Sequence, residues 1–295
     1  MKSVVKPILK HTLQPLLASA AILLAGVTSA NAELQLQTYN PQQNGIFPIS
    51  STLISGEHEA MLVDAQFSTQ DGAALVQLIK QSGKQLTTIL ITCGDPDFYF
   101  GLQPIVAAFP NAKVVATQKV VDHINATKAA KIAYWGPILK SGAPTEIIVP
   151  QATEQRSFSV DGDTVELRKA DDYGAFLWIP SNRTVLGGVA VVAGQHAWTA
   201  DTQTVAARQQ WRDDINAMLA LKPQKVIPGH YVKQMPNGVA ALQFTEQYLQ
   251  TFDEVLRQSA DSAAVIASMK AKYPHLAGEQ SLEMSAKVNT GEMKW

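Results

Sequence analysis

The chain has 295 residues, 46% of them hydrophobic and 17% charged, with a formal net charge of -1. That much apolar material excludes a disordered chain, and 24 basic against 25 acidic residues leave no basic surplus for nucleic acid. One cysteine excludes an intrachain disulfide framework and an all-cysteine zinc site.

Lys2, Lys6 and Lys10 open the chain without an acidic residue. Leu16 to Val27 is almost continuously apolar, and Ala30-Asn31-Ala32 puts small residues at the spacing a signal peptidase reads. The apolar run falls short of the roughly 20 residues that span a bilayer. Residues 1–32 are therefore expected to be a signal peptide and residues 33–295 a single exported domain. That domain is expected to be periplasmic or secreted, with no stable membrane association after cleavage. In an oxidising compartment Cys93 can form a disulfide only with a second chain.

Leu34 and Leu36 alternate with polar residues, as in an edge strand. Strands are expected over 51–55 and 60–64, joined by a turn at Gly56-Glu57-His58-Glu59. Ala74, Leu75, Leu78 and Ile79 have helical spacing over 71–81, and Gly83 closes that helix. The buried strand 87–92 leads into the polar loop Cys93-Gly94-Asp95-Pro96-Asp97. A helix over 98–109, a strand over 113–116 and a helix over 118–134 follow. Short strands are then predicted at 147–149, 157–160, 164–168, 175–179 and 184–188, with a hairpin turn at Asp161-Gly162-Asp163. Helix 205–221, strand 225–227, helix 239–258 and helix 263–272 complete the reading. Each half runs from strands to helices, which suits two packed sheets with helices outside both.

Chemistry in layered α/β folds gathers on loops at the C-terminal ends of strands. Three stand out: Thr92 to Gly101, Gly187 to Trp198, and Pro228-Gly229-His230-Tyr231. Cys93, Asp95 and Asp97 are spaced i, i+2, i+4, so on an extended segment they share a face. Thiolate, carboxylate and imidazole are all zinc donors. Each residue also has a plainer role. Asp95 and Asp97 suit the cap of a helix beginning near Phe98, and Cys93 suits a small buried position. His230 suits a loop histidine bonded to backbone, and His196 one packed against aromatic rings. Asp171 and Asp172 fit a solvated turn or a pocket rim. Trp135, Trp178 and Trp198 fit core or pocket wall. His58, His123 and His275 carry no motif. No serine elbow, phosphate-binding glycine loop or dinucleotide fingerprint occurs.

The order of elements and these loops resemble the metallo-β-lactamase superfamily, whose signature is Thr-His-x-His-x-Asp-His-x-x-Gly followed by a later Gly-His. Thr92, Asp97 and Gly101 match in register, and Pro228-Gly229-His230 resembles the closing motif. Residues from about 50 to 231 carry the likeness. It is greatest to an exported branch with Asp-Pro-Asp-Phe-Tyr-Phe-Gly in the first motif and a later His-x-Trp-x-Ala-Asp-Thr-Gln, here His196 to Gln203. Cys93, Asp95 and Phe98 stand where the signature has histidines, Val189 stands where a bridging aspartate is usual, and 170–174 holds no histidine.

The resemblance implies a four-layer αβ/βα sandwich and a hydrolase-like protein with an atypical metal site of at most one zinc per chain. Asp97 and His230 would ligate it, with Cys93, Asp95 and His196 as further donors. A metal-bound water would be the nucleophile, and Asp95 or Asp97 the proton acceptor. Cys93, in the slot of the first histidine, is then expected to face the cleft. The alternative is a non-catalytic small-molecule binding protein on the same scaffold, its metal site lost and no cofactor bound. Thiol chemistry at Cys93 is a third reading. In each case the expected partner is a small-molecule substrate or ligand, not nucleic acid, and the substrate and oligomeric state stay open.

Overall fold

The structure, a computed structural model, describes residues 1–4, 33–169 and 175–295. The chain divides into two units, Met1–Ala30 and Asn31–Trp295, and every element described here belongs to the second. Most of the expected signal peptide, residues 5–32, and the turn holding Asp171 and Asp172 lie outside the described residues. Among the described residues no helix is long and apolar enough to cross a membrane.

A six-stranded sheet is built from β1 (Gln35–Tyr39), β2 (Ser51–Ser55), β3 (Glu59–Val63), β4 (Gln85–Ile91), β5 (Lys113–Ala116) and β6 (Gln151–Ala152), in that spatial order. Its first three strands are antiparallel and its last four parallel. A five-stranded sheet has β7 (Ser157–Val160), β8 (Asp163–Arg168), β9 (Phe176–Ile179), β10 (Thr184–Leu186) and β12 (Lys225–Ile227), ordered β12-β10-β9-β8-β7. A short parallel ribbon joins β11 (Val192–Ala193) to β13 (His230–Tyr231).

The central strands β2, β3, β9 and β10 are buried on both faces, whereas β7 and β8 alternate buried with exposed residues. Successive side chains alternate between cores. Ile54, Met61, Val63 and Leu90 point at Val160, Val165, Leu177 and Leu186 of the second sheet. Leu53, Leu62, Ile89 and Ile91 turn the other way, onto α1 (Thr69–Ser82), α3 (Leu102–Ala108) and α4 (Gln118–Leu139). The outer face of the second sheet packs on α5 (Val205–Ala220), α6 (Ala240–Gln258), α7 (Ser262–Lys272) and α8 (Glu279–Asn289). The result is an αβ/βα sandwich. Helix α1 starts where Ser68 accepts the Asp71 N–H and stops at Gly83 with φ 68°.

Four expectations change. The strand at 147–149 is loop, and β6 begins only at Gln151. The helix over 98–109 is two, α2 (Pro96–Tyr99) and α3, because Gly101 is held between them with its N–H on the Gln66 carbonyl. Helix α4 runs on through Pro137 to Leu139. Helix α8 was not foreseen, although Leu282 and Ala286 stand one helical turn apart on its buried side.

Candidate functional site

The site is stitched together beneath its surface. Asp64, at the end of β3, is fully buried, and its carboxyl accepts the Thr92 N–H at 2.8 Å and the Thr92 hydroxyl at 2.7 Å. The same hydroxyl oxygen accepts the Gly188 N–H at 2.8 Å. Three loops that leave neighbouring strands are thereby fixed to one another. Burial pushes the Asp64 carboxyl up to about 7; the two Thr92 bonds oppose this and the nearby Asp97 charge adds to it.

Two glycines follow from close approach rather than from ligation. A Cβ on Gly101 would lie 2.1 Å from the Ala65 carbonyl oxygen, and one on Gly229 would lie 2.0 Å from that of Gly188. Gly229 thus lets the Pro228-Gly229-His230 turn pass against the loop after β10, and Ser50 N–H caps the Gly229 carbonyl at 2.8 Å.

Above this base opens a cavity of about 680 Å³. Asp95, Asp97, His196 and His230 all border it. His230 Nε2 lies 2.7 Å from Asp97 Oδ2, both side chains are largely buried, and the Phe98 ring meets the imidazole edge-on at 5.6 Å. Asp95 has Lys131 Nζ at 3.7 Å and His123 Nε2 at 4.0 Å. Asp95 stands at the N-cap of α2 and Asp97 in its first turn, so both carboxylates do lie at the helix N-terminus, although Asp95 makes no side-chain capping bond. The shared face expected of residues 93, 95 and 97 is broken where Pro96 starts the helix.

Cys93 does not face the cleft as expected. Its side chain is fully buried in the core under α4, and its Sγ lies 3.5 Å from Asp95 Oδ2, one layer behind the pocket. Strand alternation sends the residue after Thr92 inward.

His196 borders another part of the pocket. Its Nδ1 lies 3.0 Å from the Tyr248 hydroxyl on α6, and its backbone N–H is held by the Ala277 carbonyl. Burial pulls the imidazole down to about 4, with Glu279 opposing and Lys270 assisting, so it is neutral at physiological pH. Nearby, Asp201 accepts the indole N–H groups of Trp198 at 2.7 Å and Trp295 at 2.6 Å. The Trp295 ring lies under the Lys131 ammonium at 5.8 Å. The apolar wall is a cluster of Phe47, Phe67 and Trp135, with ring centroids 5.2 to 5.4 Å apart. Of the tryptophans read as core or pocket wall, Trp135 and Trp198 border the pocket and Trp178 is core, while Lys131, Tyr248 and Trp295 were missed. A lone lysine on a helix carries no signal, and Trp295 lies far from any motif.

Five donors named for zinc are therefore not brought together. Among the described residues no group of three or more His, Cys, Asp or Glu side chains is disposed to hold a metal. Asp97 and His230 are bonded to each other, and an ammonium stands on Asp95. An apolar ring packs where the signature has a further histidine. Catalytic zinc needs about three protein ligands and an open position, and this donor set does not fit one.

A family model described as the metallo-beta-lactamase superfamily matches residues 44–230. No curated protein matches the chain. Among solved structures, a metallo-beta-lactamase from Pontibacter korlensis is 18% identical, with a TM-score of 0.49 over 74% of this chain and 99% of that one. The DIM-1 metallo-beta-lactamase is 18% identical, with a TM-score of 0.49 over 75% of this chain and 99% of that one. TMB-1 is 16% identical, with a TM-score of 0.48 over 75% and 93%.

Proposed function

The chain belongs to the metallo-beta-lactamase superfamily, and from that premise we propose that it is an exported small-molecule binding protein, built on a hydrolase-like fold whose metal site has been lost. The observation that carries this is the Asp97–His230 bond at 2.7 Å beside an intact cavity of about 680 Å³. The two residues nearest the family's ligand pattern satisfy each other, and the space for a substrate-sized molecule remains. Cavities of this size with aromatic walls and a few polar groups are the usual form of small-molecule sites. Export rests on the basic start, the short apolar run and the Ala30-Asn31-Ala32 site.

The rival is a hydrolase with one zinc held by Asp97 and His230. It draws on their position side by side on the pocket wall, but it requires their mutual bond to open and a third donor to arrive.

Metal analysis of protein purified from the periplasm without chelator, before and after zinc incubation and dialysis, separates the two. The expected result is no stoichiometric zinc, together with a small molecule recovered in an organic extract of the same protein. Retention of about one zinc per chain that His230→Ala abolishes would overturn the binding reading. Intact mass of that protein tests export, with Glu33 expected as the first residue.

A further inference from the structure

We propose that the pocket selects an uncharged, flat apolar molecule carrying a hydrogen-bond acceptor, and that His196 is the donor that recognises it, oriented by Tyr248. This rests on the binding reading above.

The pocket's charges argue for an uncharged guest. Among the described residues the pocket has three carboxylates, each with a donor: Asp95 has Lys131, Asp97 has His230, and Asp201 has the two indoles of Trp198 and Trp295. An ammonium entering the pocket would have to displace one of these donors. Among the described residues an anion would meet three carboxylates against one lysine, Lys131, at the cavity border. Either ion also gives up hydration that the aromatic wall cannot replace.

The geometry also sets which proton His196 carries. The Tyr248 ring is fully buried, and burial holds its phenol well above the usual range, so its O–H is intact. Among the described residues that hydroxyl has His196 Nδ1 as its hydrogen-bond partner, at 3.0 Å. A buried O–H has to donate, so its hydrogen points at Nδ1. With Nδ1 as acceptor, the single proton of the neutral ring sits on Nε2. Among the described residues Nε2 has no protein acceptor, and His196 borders the cavity. An N–H on the pocket wall with no protein partner is open to an acceptor on the guest. His196 N–H is held by Ala277, and Ala277 N–H by the Gly194 carbonyl, so the backbone that presents the ring is fixed.

The test measures binding of prodan, an uncharged naphthalene ketone whose emission reports apolar surroundings. Its competitors are dimethylaminonaphthalene, which lacks the ketone, naphthoate, an anion, and naphthylmethylammonium, a cation. In the parent protein the ketone should bind about three- to tenfold more tightly than the ketone-free ring, the range expected for one net hydrogen bond. Both ions should bind more weakly than the ketone. His196→Phe should bring the preference for the ketone close to unity. Tyr248→Phe keeps the ring packing but frees the tautomer, so it should reduce the preference while leaving the ketone-free ring's affinity nearly unchanged. Both variants are compared at circular dichroism matched to the parent's, so that the ratio reports the hydrogen bond rather than unfolding. A ratio unmoved by both substitutions, or a naphthylmethylammonium that binds best, overturns the proposal and leaves the binding reading standing. Failure of every probe to bind overturns both.

Discussion

Asp64 makes a stability prediction that depends on pH. Its carboxyl is fully buried and moves from 3.8 to about 7 on folding, with desolvation the largest cause. A carboxyl raised in the folded state binds its proton more tightly there than in the unfolded chain. Its contribution is therefore fully present below about pH 4 and is lost as pH rises through about 7. A rise of roughly three units corresponds to about 4 kcal/mol across that window, as an order of magnitude. Asp64→Asn keeps an acceptor for the Thr92 N–H and cannot ionise; reorienting the Thr92 hydroxyl costs about 1 kcal/mol. Urea unfolding followed by tryptophan fluorescence from pH 4 to pH 8 should then give diverging curves. The two proteins should be similar at pH 4, and the variant should be more stable by several kcal/mol at pH 8. His196 has the opposite sign: its pKa falls from 6.5 to about 4, so its contribution is present above 6.5 and lost as pH falls toward 4. Removing Asp64's titration should expose this, and the variant's stability should climb between pH 4 and 6.5. Parallel curves for the two proteins across the whole range would refute the reasoning.

Cys93→His should lower stability by roughly 1–3 kcal/mol, because a larger polar ring is forced into packed apolar space, and should bring no zinc; thermal melts and zinc titration read both effects. Arg208 is 3% exposed and binds Asp253 at 2.6 Å, the Thr202 carbonyl at 2.7 Å and Asn289 at 2.6 Å. Arg208→Ala strands Asp253 and should cost about 3–5 kcal/mol in denaturant unfolding. Gly229→Ala drives a methyl into the Gly188 carbonyl and should cost roughly 1–3 kcal/mol. It should also separate His230 from Asp97, visible as a changed imidazole resonance; an unchanged resonance would show that the turn has slack.

Strand and helix content was legible wherever one physical cause dominated. Strands 51–55, 113–116, 157–160 and 225–227 coincide with their predicted bounds, because each carries its apolar side chains into a core and is set off by turn residues. The superfamily was legible from Thr92, Asp97, Gly101 and Pro228-Gly229-His230, and two of those positions answer to backbone approach: Gly101 to the Ala65 carbonyl and Gly229 to that of Gly188. Spacing along the chain could suggest that residues 93, 95 and 97 share a face, but it could not show that Pro96 turns the chain into a helix between them. Nor could it show Cys93 turned into the core. Which donors meet was decided only by packing across long separations in sequence. Asp97 finds His230, Asp95 finds Lys131, and His196 finds Tyr248 because two sheets and their helices bring those loops to one edge. A residue's type limits the bonds it can make. Its partner depends on the shape of the whole fold, and in this chain the partners are one another.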